Sequence, residues 1–317
     1  MKKLTVVLTL ASSFSAFSGD LVLGDLNFFQ KKNAALLSTS LNYSYSTFEE
    51  VSATFGSNDF EASSIHFTNS LTYGLSDKTN VGLGVNYALR NRTYFENPPS
   101  GINELRTQEE GLSDFTILGN HRIWDENFFL DVIGGLTLGF GNKEVAFGTQ
   151  NGVTEGNNYQ GNHSLNLALA TGQKREDNWE WRSFAGFDFH FAGKGDLIDD
   201  DISSTEYDSD RSLNWKLGGT VQYRTNYNWA LAASLDYTIV DRLKLDTGFA
   251  NSDLELESDN YFKLGFIGKY NVSEFILINL GYDFVPRYDV SVTRGTDERE
   301  RENGAGHKLS AGAQILF

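Results

Sequence analysis

Apolar and polar residues alternate one by one along much of this chain. In the stretch 80–89 every odd position is apolar, while the even positions are Asn, Gly or Ala. The stretches 213–224 and 276–284 have the same period of two. This period is typical of a β-strand with one apolar face and one polar or small face, and helical spacing fits none of these stretches.

Twelve segments follow this pattern, so we expect an all-β chain of about twelve strands. The predicted segments are 34–48, 63–75, 80–95, 111–124, 127–147, 159–173, 178–194, 211–224, 228–245, 259–271, 275–292 and 303–317.

The connections between these segments alternate in length. Those after even-numbered segments are short, such as 76–79 and 125–126, whereas those after odd-numbered segments have about ten to sixteen polar residues. Short turns at one end and long loops at the other are typical of antiparallel, up-and-down outer-membrane β-barrels. The strands also exceed the soluble average of about 5–6 residues. An even strand count then places both termini at the short-turn, periplasmic end, with the long loops extracellular.

Aromatic residues cluster at two levels along the predicted strands. Trp124, Trp179 and Trp229 lie beside short turns, whereas Trp215 and Tyr288 lie towards the long loops. Aromatic rings anchor barrels at the two membrane interfaces. The alternative is the aromatic core of a soluble β-sandwich, but a sandwich does not need five hairpins of this length.

The last predicted strand alternates to the end of the sequence. A terminal strand that ends in Phe resembles the signal that outer-membrane barrels present to their assembly machinery. The residues that carry this resemblance are Leu309, Ala311, Ala313, Ile315 and Phe317.

The first residues have the three parts of a secretory signal peptide in order. Lys2 and Lys3 are followed by the apolar stretch 4–11, and 16–18 fits the small-x-small cleavage rule. We therefore predict a signal peptide over 1–18, an N-terminal segment over 19–33 and an outer-membrane barrel over 34–317. The segment 19–33 either lies in the lumen as a plug or hangs in the periplasm.

The composition of the chain excludes several classes of function and of membrane structure. The formal net charge of −16 argues against a protein that coats nucleic acid. The chain has no Cys, which excludes disulfides, thiolate metal sites and thiol nucleophiles. It has no run of 18 apolar residues, so a membrane-spanning form has to be a closed barrel.

Three motifs in the stretch 65–145 carry a family resemblance. The run 71–84 looks like a "YGLTD" hairpin, the run 111–116 is similar to a "GLGD" strand start, and a Gly-rich strand follows at 134–141. Their order resembles the outer-membrane family named for the meta-pathway of phenol degradation, whose members are described as transporters. The chain departs from the family pattern at Ser113, where Gly is preferred. The resemblance implies an aromatic substrate.

The polar face of the strands points into the predicted barrel and carries charges of both signs. Twelve strands lie between filled and open barrels, so these charges either line a narrow pore or hold a plugged barrel together by ion pairs. If they oppose one another across the lumen, they create a transverse field. At Pro286 we expect either a bulge or a position just above the bilayer. The predicted pore-lining residues are Arg90, Asp131, Arg182, Asp188, Lys216, Asp236, Lys263, Asp283 and Lys308.

The sequence offers little evidence for a catalytic or metal-binding site. His66 and Thr68 share a face without a third member, His163 and Ser164 point to opposite faces, and His190 shares a face with Asp188. We therefore predict that the chain is not an enzyme and has no cofactor. The acidic loop 196–210 is a solvated surface, or it binds divalent cations that bridge to lipopolysaccharide phosphates.

These observations predict an outer-membrane channel of a Gram-negative bacterium that passively admits small molecules, including aromatic or hydrophobic ones. The alternatives are a non-conducting structural or adhesive barrel and, behind it, a lipid-modifying enzyme. The expected partners are outer-membrane lipids, lipopolysaccharide, the barrel assembly machinery and a small-molecule solute.

Overall fold

A computed structural model describes most of the chain from Leu23 onward. The described residues are 23, 25–52, 56–96, 104–126, 128–139, 144–147, 153–155, 163–176, 178–199, 203–226, 228–246, 254–294 and 297–317. The predicted signal peptide and its cleavage site before Gly19 lie outside them. The described residues form no helix long and apolar enough to cross a membrane.

Twelve antiparallel strands of the described chain close into a barrel, which confirms the predicted fold class. Each strand pairs with the next in chain order, and β18 returns to pair with β1. The barrel strands are β1 (Ala35–Ser52), β2 (Gly56–Ser76), β3 (Thr79–Glu96), β4 (Glu104–Asp125), β5 (Phe128–Gly139), β8 (Ser164–Glu176), β9 (Trp179–His190), β12 (Ser212–Arg224), β13 (Trp229–Ile239), β16 (Tyr261–Ser273), β17 (Ile276–Arg294) and β18 (Asp297–Leu316).

Six short strands extend the wall at the long-loop end. β6 runs parallel to β10 and β7 runs parallel to β4, whereas the other pairings among these strands are antiparallel. The predicted segments 127–147 and 228–245 include the residues of β6 and most of β14. The residues of β7, β11 and β15 and most of β10 were expected to be loops, the acidic loop 196–210 among them, and they form strands instead. The short strands are β6 (Glu144–Phe147), β7 (Val153–Glu155), β10 (Gly193–Asp199), β11 (Ser203–Ser209), β14 (Leu243–Asp246) and β15 (Leu254–Ser258).

The apolar face of the strands points away from the lumen. Leu217 and Leu280 are 50% and 65% exposed, while Lys216, next to the first, is buried. Because adjacent side chains on a strand point to opposite faces, this alternation fixes the register of the whole wall. The exposed rings of Trp124, Trp179 and Trp229 lie on this outer face at the short-turn end.

The ring closes beside the two ends of the barrel sequence. The N–H of Phe317 donates to the Ala35 carbonyl at 2.8 Å, and the Ala35 N–H donates to the Phe317 carbonyl at 3.1 Å. The Phe317 ring is 69% exposed. The terminal aromatic ring therefore lies on the outer face at the short-turn end. Its role as an assembly signal stays a prediction.

A bulge interrupts the register at Pro286. The pairing of β17 with β18 shifts between Val285 and Tyr288, because a proline cannot donate a ladder hydrogen bond. Beyond the bulge the buried positions are Tyr288 and Val290, and the Arg287 side chain is 66% exposed. A period of two extended from Asp283 places Arg287 inside, so the bulge changes the side of the wall that this residue occupies.

Candidate functional site

The lumen is the candidate site, and it divides into three levels along the barrel axis. The N-terminal residues Leu23 and Asp25–Asn33, here called the floor segment, cross the short-turn end. A chamber of about 250 Å³ lies in the middle of the barrel above them. A level of charged side chains follows on the side of the long loops.

The floor segment follows the inner wall past successive strands. Gln30 exchanges hydrogen bonds with Thr72 on β2, and the Asn27 amide donates to the Gln173 carbonyl on β8 at 2.8 Å. At its far end, the Leu23 carbonyl accepts from Asn271 on β16 at 2.7 Å. The segment therefore spans the short-turn mouth from one side to the other.

An apolar cluster fills the middle of this floor. Phe28, Phe29 and Leu23 are buried against Leu36 of β1 and Leu277 of β17. These contacts remove apolar surface from water, which stabilises the segment in the lumen.

A buried ion pair also holds the floor segment. Asp25 pairs with Arg224 of β12, and the Leu26 N–H donates to a carboxylate oxygen of Glu180 on β9 at 2.6 Å. Lys269 of β16, on the same level, donates to Gln222 at 2.8 Å.

Asp131 organises a second charged cluster at the floor. Arg122 contacts both of its carboxylate oxygens, at 2.7 and 3.0 Å, and Arg182 reaches it at 3.4 Å. The Arg122 guanidinium also lies 4.7 Å from the ring centre of Phe29 and 4.6 Å from that of Phe129. A two-pronged carboxylate contact with aromatic faces around it fixes this arginine firmly.

The charged level above the chamber consists of pairs between neighbouring strands. Asp188 on β9 pairs with Lys216 on β12 and also accepts from Asn166, while Asp236 on β13 lies 2.8 Å from Lys263 on β16. Asp283 and Lys308 face each other between β17 and β18. The transverse arrangement expected from the sequence is therefore wrong for these pairs, because the ion pairs run along the wall rather than across the lumen.

The predicted pore-lining residues lie at different heights. Arg90 lies towards the long loops, where its Nε atom is buried without a hydrogen-bond partner among the described residues. Asp131 and Arg182 belong to the floor. The charged level holds Asp188, Lys216, Asp236, Lys263, Asp283 and Lys308. The sequence reasoning identified these charges but not the uncharged residues that surround the chamber.

Among the residues weighed for catalysis, His190 is buried on β9 and lies opposite Ser164 of β8 in the ladder. The carboxylate of Asp188 contacts Lys216 and Asn166. Both ring nitrogens of His66 are buried without a hydrogen-bond partner among the described residues. Those residues also contain no group of three or more His, Asp or Glu side chains suited to hold a metal ion. Most of the acidic loop 196–210 lies in residues whose side chains are not described.

Three solved structures are compared with this chain. The chain resembles an outer membrane channel from Pseudomonas putida F1 with a TM-score of 0.58 and 16% identity, covering 94% of this chain and 98% of that one. A FadL homologue of Pseudomonas aeruginosa resembles the chain with a TM-score of 0.46 and 13% identity, covering 91% of each chain. The NanC porin resembles it with a TM-score of 0.45 and 11% identity, covering 86% of this chain and 98% of the porin.

The likeness to the Pseudomonas putida channel shows that the two chains share the barrel fold. No protein-family model matches this chain, and no curated protein matches it.

Proposed function

We propose that this protein is a passive channel for small molecules in the outer membrane of a Gram-negative bacterium. The chamber in the middle of the lumen is the observation that carries the proposal. A barrel of this size could be filled by its own side chains, and about 250 Å³ of space between the floor and the charged level instead leaves room for a solute.

The floor segment makes this a channel that is closed at rest. A solute leaving the chamber towards the short-turn end meets Phe28 and Phe29, so the segment has to move before transport. The segment is held by one apolar cluster, the Asp25–Arg224 pair and side-chain hydrogen bonds to the wall, and it belongs to none of the barrel strands. It can therefore move without opening the barrel itself.

Liposome swelling tests this proposal directly. Proteoliposomes containing the mature chain should swell in small neutral solutes faster than empty liposomes, and swelling should slow as solute size increases. Rates equal to those of empty liposomes, both for the mature chain and for its Phe28→Ala, Phe29→Ala variant and with a correctly folded barrel, would contradict transport.

A non-conducting structural barrel is the second candidate, and the paired lumen charges favour it. Among the described residues, five ion pairs have both partners mostly buried and could serve stability alone. They are Arg122–Asp131, Arg182–Asp131, Arg224–Asp25, Lys216–Asp188 and Lys263–Asp236. A lipid-modifying enzyme is the third candidate, which lipase and deacylase assays address.

The finer identity of the channel also stays a proposal. The motifs in 65–145 support membership of the family named for phenol degradation and an aromatic or hydrophobic solute. The same outer-membrane role implies contact with lipopolysaccharide and with the assembly machinery, the latter through Leu309, Ala311, Ala313, Ile315 and Phe317.

A further inference from the structure

The chamber has two unlike walls that face each other. One wall consists of β17, β18, β1 and β2, and its side chains in the chamber are mainly hydroxyls and amides. The opposite wall consists of β5, β8, β9 and β12, since six strands separate opposite sides of a ring of twelve. The first wall contributes Asn279, Ser310, Ser38, Ser40, Thr68 and Ser70 to the chamber.

Several hydroxyls of this polar wall are available to a solute. None of the described residues shares a hydrogen bond with the side chains of Ser38, Ser70 or Ser310. Polar groups that line a closed space favour a molecule that can hydrogen-bond to them, because an apolar molecule would leave them unsatisfied. Several hydroxyls close together suit a solute with several hydroxyls.

The opposite wall offers an apolar surface of about the size of one ring. Phe184 of β9 faces the chamber with Ile133 and Ala168 beside it. Its ring lies over Gly218 of β12, where an added Cβ would come within 2.6 Å of the ring. The missing side chain at Gly218 therefore leaves room for the Phe184 ring and for the Asp236 carboxylate beside it.

The charges around the chamber disfavour ionic solutes. Most of the charged side chains that line the chamber are already paired. Lys216, Lys263, Asp25 and Arg182 are in ion pairs with Asp188, Asp236, Arg224 and Asp131 respectively. Lys269 donates to Gln222, and Asp283 lies opposite Lys308 in the ladder. A charged solute has to displace one of these partners, which leaves a charge buried without compensation.

We propose that the chamber binds a neutral, polyhydroxylated solute of one six-membered ring, such as a monosaccharide, with its hydroxyls on the polar wall and its C–H face on Phe184. The proposal rests on the channel function, since the chamber is the path of that channel, and it departs from the aromatic or hydrophobic solute that the motifs in 65–145 imply. Its size fits, because an apolar cavity of about 150 Å³ in another protein binds benzene and this chamber has about 250 Å³.

Ligand-observed saturation-transfer NMR on the mature protein in nanodiscs tests the proposal with four matched probes. Glucose should bind, whereas glucuronate and glucosamine, which add a negative and a positive charge, should bind at least tenfold more weakly. Cyclohexanol, a ring with a single hydroxyl, should also bind more weakly than glucose. Preferred binding of cyclohexanol would overturn the proposal in favour of a hydrophobic solute. Equal binding of all four probes, or no binding of any, would also overturn the proposal.

Two variants locate the binding in the chamber. Ser38→Ala with Ser70→Ala should weaken glucose binding about fivefold or more, because each lost hydrogen bond contributes about 0.5–1.5 kcal/mol. Thr137→Ala is the matched control, because Thr137 faces the lumen but does not line the chamber and is paired with Thr116 at 3.1 Å. Equal effects of both changes would overturn the assignment. Glucose binding without any swelling in liposomes would refute the channel and leave the binding preference intact.

Discussion

Asp131 is fully buried between two arginines, so removing its charge should have a large effect. Asp131→Asn removes the carboxylate that contacts both buried arginines, Arg122 and Arg182, which costs roughly 3–5 kcal/mol. Urea unfolding of the protein in detergent, followed by the loss of heat-dependent gel mobility, measures this loss. Asp125→Asn is the control, because Asp125 is 28% exposed and touches Arg122 only at 3.4 Å. Its cost should stay below about 1 kcal/mol, and equal costs for the two variants would contradict the assigned roles.

The outward face gives a second test at single residues. Leu280→Arg places a cation at mid-bilayer and should cost roughly 2–4 kcal/mol, whereas Phe275→Arg, at the short-turn interface, should cost about 0–1 kcal/mol. Gly281→Arg instead points inward, where even a Cβ would lie 2.5 Å from the Ser310 hydroxyl. The unfolding midpoints of the Leu280 and Phe275 variants check this order of costs. A smaller loss of stability at Leu280 than at Phe275 would mean that the register is wrong.

Among the elements, the terminal strand should control assembly. Deletion of Phe317 removes an exposed ring beside the closing pair of β18 with β1, and the amount of barrel in the outer membrane should fall strongly. Membrane fractionation with unheated gels measures the folded amount. Phe275→Ala removes a ring at the same end and should leave that amount nearly unchanged. Normal insertion after the deletion would contradict the assembly role.

The floor segment should be protected from solvent while the barrel is at rest. The chain has no cysteine, so Leu26→Cys and Lys32→Cys are clean reporters of accessibility. A water-soluble maleimide should modify the exposed position 32 quickly and the buried position 26 at least tenfold more slowly. Asp25→Asn, added to Leu26→Cys, should speed its modification, because the pair with Arg224 is lost. Equal rates at both positions in the parent chain would show that the segment does not stay in the lumen.

The strands could be predicted from sequence because their period is a local property. Val81, Leu83 and Val85 show it directly, and it fixed the inward and outward faces of Lys216 and Leu217. The partner of Lys216 was beyond reach, since the ladder places Gly186 opposite it and the contact with Asp188 is diagonal. Arg287 was misplaced because one bulge reverses the faces.

The arrangement of side chains in the lumen could be recognised only from the folded structure. Residues 23–33 have no period, so their pattern left a plug and a free tail equally open, and their contacts lie as far away in sequence as Asn271. The polar wall could not be recognised from the sequence, because its serines are spread over β1, β2 and β18. Only closure of the ring brings Ser38, Ser70 and Ser310 together opposite Phe184.

At the scale of the whole molecule, the central claim is that a movable floor closes a real path through the barrel. Single-channel recording in planar bilayers tests it with the mature chain and with Phe28→Ala combined with Phe29→Ala. This double change removes the middle of the floor and alters no residue of a barrel strand. Lys32→Ala is the control, because Lys32 is exposed and contributes only its backbone N–H to Asp77. The double variant should conduct several times more than the parent, and Lys32→Ala should match the parent. Parent and double variant that are both correctly folded, inserted and electrically silent would contradict the claim.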